Sequence, residues 1–376
     1  MPEQSFDVII AGGGIVGAAC AASCASEGLR IALVERDAIG SGATAAGMGH
    51  IVVMDDSEAQ FALTRYSQNL WNTLAPRLPA SAEYVQRGTV WVAADEEEMA
   101  EAVRKQRSYS ERGVPAMLLT PYELAAQEPN LRAGLAGGLL VPEDAVVHSP
   151  SVAVHLAREA ESHGATLILG HSVTRLARGE ALLDDGTLLR APRLVNATGA
   201  WSPELDSSIP VRKRKGHLAL ADAPPGFLHH QVVELGYLKS AHSVDTDSVA
   251  FNVQPRLSGQ IYIGSSRQYG AENTGVDQHI LTAMLERAAL FMPALASLPI
   301  TVARAGFRAA TPDKLPLIGP SLGDQTVWLA TGHEGLGITT SLATAELIAA
   351  AFTGRKPPIA PEPYLPSRAV HAQPTH

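Results

Sequence analysis

Three glycines at positions 12, 14 and 17, followed 18 residues later by Glu35, are the part of this chain whose spacing most directly implies chemistry. In Gly12-Gly13-Gly14-Ile15-Val16-Gly17 the first glycine of the pattern permits a tight turn. The second lets backbone approach a pyrophosphate, and the third lets a helix pack on a strand. A helix starting there offers free N–H groups and its positive dipole end to the anion. Glu35 is placed to accept hydrogen bonds from ribose hydroxyls. The pattern predicts dinucleotide binding. A second loop, Gly40 to His50, carries glycines and hydroxyls that suit another close approach to phosphate or a polyol chain.

Several other chemistries lack their residues. There is no metal-ligand cluster, no nucleophile elbow and no triad in the spacing. Cys20 and Cys24 are one helical turn apart and read as small core residues, since a disulfide there would close almost no loop. Two cysteines cannot hold an iron–sulfur cluster. The net charge of −9, with no basic run longer than Arg212-Lys213-Arg214-Lys215, argues against a nucleic-acid partner. The N-terminus has no basic leader, its apolar run is broken by glycines, and no other segment approaches ~18 uninterrupted apolar residues. The expectation is a soluble, cytoplasmic chain with no transmembrane segment.

The glycine motif needs elements around it, and the pattern supplies them. Phe6 to Ala11 and Ile31 to Val34 read as strands flanking an Ala-rich helix that runs to about Glu27. Helices are expected over 57–77, from Glu96 to about Arg112, from Ser151 to His163, from about Asp277 to Phe291, and from about Ile338 to Phe352. Strands are expected at Gly88 to Ala94, Gly137 to Val141, Thr166 to Leu169 and Val173 to Ala177. Another covers Ala181 to Leu189, with a hairpin turn at Asp185-Gly186. Residues 210–270 alternate like an antiparallel sheet, and Pro357 to Pro374 reads as a weakly ordered tail. The fold class is α/β with an α+β second domain. A discontinuous Rossmann-like unit (1–75, 145–205 and 305–376) is interleaved with a sheet-rich substrate domain (76–144 and 206–304). This interleaving argues against a simple nicotinamide dehydrogenase.

Four motifs in order carry a resemblance over nearly the whole chain. They are Gly12 to Gly17 with Glu35; Asn196-Ala197-Thr198-Gly199-Ala200-Trp201; Ala305 to Asp313 with Leu315 to Gly319; and Thr331-Gly332-His333-Glu334-Gly335-Leu336-Gly337. The chain resembles the D-amino-acid oxidase, glycine oxidase and sarcosine oxidase family of FAD enzymes. Gly49 to Asp56 and Gly332 to Ser341 look most like the FAD-bearing (beta) subunit of heteromeric hydroxyproline dehydrogenases and opine oxidases.

The resemblance implies an enzyme that oxidises the C–N bond of a small amino or imino acid, best D-hydroxyproline, to an imine by hydride transfer from Cα to flavin N5. Electrons would pass to partner subunits in a hetero-oligomer, itself peripheral to the inner membrane through the complex, with room for a second flavin (FMN) at a subunit interface. The alternatives are a stand-alone oxidase using O₂, an opine oxidase subunit, and a flavin-holding subunit without catalysis.

Residue by residue, the resemblance makes Arg308 the clamp for the substrate carboxylate. His50, Tyr237 and His333 are further catalytic candidates, with Glu334 lining the site. Cofactor contacts fall on Gly12, Gly14, Ile15, Val16, Gly17, Glu35, Arg36, Ser41, Ala43, Thr44, Gly47, Met48, Val173, Ala197, Thr198, Gly199 and Trp201. They continue at Gly332, His333, Gly335, Leu336, Gly337 and Ile338. Gly306 stands near the position where covalent-flavin relatives have cysteine, so FAD should be non-covalent. Lys215-Gly216-His217 takes the place of the family's Arg-Gly-Gln flavin-side turn. The basic tetrad reads either as a solvated turn or strand edge, or as a flavin or partner contact.

Overall fold

The computed structural model describes residues 6–236 and 247–370. Strands Val8–Ala11 and Ile31–Glu35 are apolar without alternation because both of their faces are buried. Val8, Ile10, Ile31 and Leu33 pack among helices; Ile9, Ala11, Ala32 and Val34 point into a second cluster on the opposite face. These strands form the middle of a six-stranded sheet. Its order is Leu317–Pro320, Val327–Thr331, Arg193–Asn196, Val8–Ala11, Ile31–Glu35 and Thr166–Leu169. All neighbours are parallel except Leu317–Pro320, which runs antiparallel to Val327–Thr331. Helices Ile15–Ser26, Ser149–Ser162 and Gly337–Thr353 cover one face. A three-stranded layer (Val173–Ala177, Glu180–Leu183, Leu188–Arg190) covers the other through Leu176, Ala181 and Leu183.

The second sheet has eight strands, ordered Ile300–Ala310, Arg212–Asp222, Gln260–Arg267, Ser248–Pro255, Gln231–Glu234, Thr89–Ala93, Gly137–Val141 and Met117–Leu119. Helix Gln278–Phe291 packs on it, with Phe291 stacked on Phe251 at 4.9 Å between ring centroids. Helix Glu96–Glu111, capped by Asp95 accepting from Glu98 N–H, packs elsewhere on the sheet through Ala102 and Tyr109. His50–Ile51 pairs with Ala145–Val146 as a short two-stranded link.

Three expectations change. Gln231–Glu234 pairs parallel with Thr89–Ala93, so 210–270 is not wholly antiparallel; its partner comes from a distant part of the chain, which local alternation does not encode. Residues 212–215 are no turn, and neither is Lys215-Gly216-His217: all lie in the continuous strand Arg212–Asp222, with Arg212 exposed but Arg214, Lys215 and His217 buried. The Pro-rich end is pinned as far as it is described. Tyr364 is buried and its hydroxyl donates to Ala59 C=O at 2.6 Å, while Arg368 pairs with Asp313 at 2.8 Å. Proline content lowered the expectation of order there, but side-chain anchoring decides it. No helix among the described residues is long and apolar enough to cross a membrane.

Candidate active site

One cavity of about 620 Å³ runs from the glycine loop into the space beside the second sheet. At its first end, Gly12 has φ +104 and a Cβ there would sit 2.6 Å from Ala197 C=O. A Cβ on Gly17 would collide with Gly12 C=O, so this glycine serves helix–strand packing and does not line the cavity. Gly14 differs: its φ is −64, and the one heavy atom near a Cβ would be Thr44 Oγ1 at 3.3 Å. The space beside it belongs to the cavity.

Helix Ile15–Ser26 starts there without a side-chain cap, although Ile15 N–H donates to Thr44 Oγ1 at 3.0 Å. Open N–H groups at a helix start fit a pyrophosphate. Glu35 accepts from Gly13 N–H at 2.6 Å and Asp37 N–H at 2.8 Å, which fixes the loop. Its oxygens still have acceptor capacity for ribose hydroxyls.

Arg36, Ser41, Ala43, Thr44, Gly47, Met48, Val173, Ala197, Thr198, Gly199 and Trp201 also line this cavity, as do Ile15 and Val16. Arg36 lies 4.8 Å from the Trp201 ring centroid. Farther along, His333, Gly335, Gly337 and Ile338 reach the wall at the start of the uncapped helix Gly337–Thr353. Gly332 and Leu336 do not reach it. The former has φ +77 and backs onto Thr311 and Leu317, and the latter packs into an apolar cluster. Gly306 is required for packing, since a Cβ would stand 2.5 Å from Ala46 Cβ. The chain's two cysteines are both buried in helix Ile15–Ser26, with burial pushing Cys24 up to about 12 and Cys20 upward as well.

At the far end, Arg308 lies on the wall over Gly216, where a Cβ would occupy the guanidinium's space. Its Nη1 donates to Ser266 C=O at 2.8 Å. Ser266 is held in turn: its Oγ accepts from His217 N–H at 2.9 Å and contacts His217 Nδ1 at 2.8 Å. His217 Nε2 accepts from Asp277 N–H at 3.0 Å, so the imidazole proton sits on Nδ1. Burial and then Lys215 lower the pKa of His217.

His50 is on the wall with its Nε2 buried and lacking a hydrogen-bond partner, and burial pushes its pKa down to about 3. His333 is buried, also pushed down to about 3, and its Nε2 is within 3.0 Å of Thr344 Oγ1. That contact ties its ring to helix Gly337–Thr353. Tyr237 lies outside the described residues.

Among the wall residues, Asn252 and Ser265 were not singled out by sequence reasoning, and His217 only within the Lys215-Gly216-His217 segment. Asn252 Oδ1 and Ser265 Oγ are buried without partners, like His50 Nε2. The available signal was weak: single polar residues inside apolar strands, Phe251-Asn252-Val253 and Ile263-Gly264-Ser265. Spacing also did not single out His171, Asp184 and Asp185, which converge at the surface. Ser172 and His171 already occupy Asp184, holding its pKa down to about 2.

A mostly parallel sheet covered on both faces, a glycine cradle for a pyrophosphate, and a long cavity ending at a second sheet fit a dinucleotide-dependent oxidoreductase. The family model described as DAO, FAD dependent oxidoreductase, matches residues 7–351, and the chain belongs to that family. Glycine oxidase of Pseudomonas aeruginosa is 30% identical over 97% of this chain and 99% of its own. The crystal structure of glycine oxidase from Geobacillus kaustophilus superposes with a TM-score of 0.88 at 27% identity, covering 97% and 99% of the two chains. The L-proline dehydrogenase structure from P. horikoshii, at 24% identity and TM-score 0.86 over 99% and 100%, shares the fold. The protein is an FAD-dependent amino-acid oxidoreductase.

Proposed function

We propose that this chain oxidises the C–N bond of a cyclic imino acid of the D-hydroxyproline type to an imine, and passes the electrons to partner subunits. The observation that carries the site assignment is that Arg308 lines the same cavity as three residues with buried, unpartnered polar atoms, His50 Nε2, Asn252 Oδ1 and Ser265 Oγ. Bound FAD supplies the hydride acceptor. Arg308 clamps the substrate carboxylate with paired N–H donors, in a position set by Ser266 and His217. Asn252 Oδ1 is an acceptor for the amine N–H, and Ser265 and His50 complete the polar wall. The uncapped start of helix Gly337–Thr353 favours negative charge at the cavity.

This arrangement needs a neutral amine, and burial pushes the pKa of the wall histidine His50 down to about 3. The acid limb of kcat/KM therefore rises with pH through the ionisation of the substrate ammonium. The limb is expected to keep its position in His50→Gln, because His50 titrates at about 3. A limb displaced by that substitution would return His50 to the role of base.

A stand-alone oxidase is the second reading, favoured by the 30% identity to a glycine oxidase over nearly the whole of both chains. Assaying the purified holo-chain alone separates the two. Dye reduction with little peroxide supports transfer to partner subunits, and strong peroxide output supports direct use of O₂.

A further inference from the structure

Thr89, Gln231 and Gln254 are polar residues closed to solvent, at 0%, 2% and 0% exposed. They come from three neighbouring strands of the second sheet, Thr89–Ala93, Gln231–Glu234 and Ser248–Pro255. Gln231 stands beside Thr89 in the parallel pair. In the antiparallel pair Val232 and Val233 oppose Val253 and Asn252, a register that brings Gln231 opposite Gln254. Residues in register share a face of the sheet about 5 Å apart, and alternation puts Asn252 on that face as well. Val90, Val232 and Val253 point the other way, into the cluster under helix Gln278–Phe291. Trp91 and Val233, on the row's own face, pack against Val52, Val53 and Met54, the segment that follows His50.

One end of this polar row reaches the cavity, where Asn252 lines the wall. Beyond the other end lies Asp144, which is buried; its C=O accepts from Gly88 N–H at 2.9 Å. Its Oδ1 accepts from Gln68 Nε2 at 3.3 Å and from Val53 N–H at 3.4 Å. Thr89 faces this carboxyl from the sheet, Lys105 and Tyr109 from helix Glu96–Glu111, and Gln68 from helix Glu58–Leu74. Glu143, paired with Arg65, and Asp55, paired with Lys105, complete its charged surroundings. Burial pushes the pKa of Asp144 up to about 7, against the opposing pull of Thr89, Val53 N–H and Lys105. Between the ends, Gln231 Oε1, both polar atoms of the Gln254 amide and Asn252 Oδ1 are buried without a hydrogen-bond partner. Buried amides nearly always hold partners, and water serves both kinds of atom, donating to Oε1 and accepting from Nε2.

The geometry points to a seam of ordered water that runs from Asn252 past Gln254 and Gln231 to Asp144 and carries the proton of a bound substrate ammonium out of the cavity. The inference rests on the reading of this chain as an amino-acid oxidoreductase. An amino acid that arrives as a zwitterion must shed one N–H proton before hydride can leave Cα. The ammonium N–H bond breaks and its electron pair stays on nitrogen. The proton passes along the waters, and the Asp144 carboxylate takes it up as a carboxylic acid. It is then released to solvent beside the partly exposed Arg65–Glu143 pair. No electron moves along the seam.

The test compares the holoenzymes of the wild type, Gln254→Leu, Gln231→Leu and Asp144→Asn. Leucine replaces the amide with an apolar side chain, and asparagine keeps an Oδ1 acceptor for Val53 N–H and Gln68 but takes up no proton. Anaerobic flavin reduction is followed by stopped flow with saturating proline, glycine or D-hydroxyproline, in water and heavy water, across the ionisation of the substrate ammonium. A crystal structure of the wild-type holoprotein reads the seam itself. Expected are waters bonded to Gln254 and Gln231, and at least tenfold slower reduction in the variants where the substrate is an ammonium. That deficit narrows where the amine arrives neutral, and the solvent isotope effect of the variants exceeds that of the wild type. Equal slowing at every pH, no slowing in any variant, or a crystal without water at Gln254 overturns the inference and leaves amino-acid oxidation standing. If no amino acid reduces the wild-type flavin, the underlying functional reading falls, and the proton's route with it.

Discussion

Arg308→Ala is expected to lower kcat/KM by about thirty-fold to several-thousand-fold, equivalent to roughly 2–5 kcal/mol of lost transition-state binding, while the purified protein stays yellow. The guanidinium contacts Ser266 and Gly216 of the second sheet, so its loss is expected to leave the nucleotide cradle intact. Truncation removes both parallel donors to a carboxylate and opens a void over Gly216. Arg308→Lys is expected to recover only part of the loss, because an ammonium keeps the charge but not the fork. Steady-state kinetics with an artificial acceptor, alongside FAD content from the visible spectrum, read both effects. A flavin-holding subunit without catalysis would show no dependence on Arg308.

Gly14→Val is expected to produce a folded protein without FAD. Gly14 has an ordinary φ of −64, and an added Cβ meets only Thr44 Oγ1 at 3.3 Å, so the chain accommodates the change. The side chain instead fills the space beside the uncapped helix start, where the pyrophosphate must approach backbone. Far-ultraviolet circular dichroism should be unchanged, with the flavin absorption band absent and added FAD giving no thermal stabilisation. Gly17→Val provides the contrast. Its Cβ would collide with Gly12 C=O, so loss of the fold rather than of the cofactor alone is expected. Full flavin content in Gly14→Val would contradict the placement of the pyrophosphate.

The nucleotide end was legible because its constraints are local. Strand, glycine turn, helix, strand and acid occupy thirty consecutive residues, and burial on both sheet faces makes the strands continuously apolar. The substrate end depends on pairings between distant segments. Asn252 reaches the wall because its strand pairs with Gln260–Arg267, where Asn252 lies opposite Gly264, next to Ser265. Neither residue differs locally from any polar residue in a sheet.

Arg214 illustrates the same point with charge. In the sequence it belongs to a basic tetrad that reads equally as a solvated turn or strand edge and as a flavin or partner contact. In the fold it is buried because Glu334, 120 residues later, arrives to neutralise it. Tyr364 and Arg368 likewise order a Pro-rich tail through contacts with Ala59 and Asp313 that composition does not report.

The central claim is that this chain binds FAD and uses it to oxidise the C–N bond of an amino or imino acid clamped at Arg308. Its most direct test is anaerobic reduction of the purified holoprotein by a panel of amino acids, followed at the flavin absorption band. The panel includes both hydroxyproline epimers, proline, sarcosine, glycine and opines. The account predicts rapid bleaching by at least one monocarboxylic amino or imino acid and none by its decarboxylated amine. Bleaching by the amine as readily as by the acid, or by no member of the panel, would contradict it.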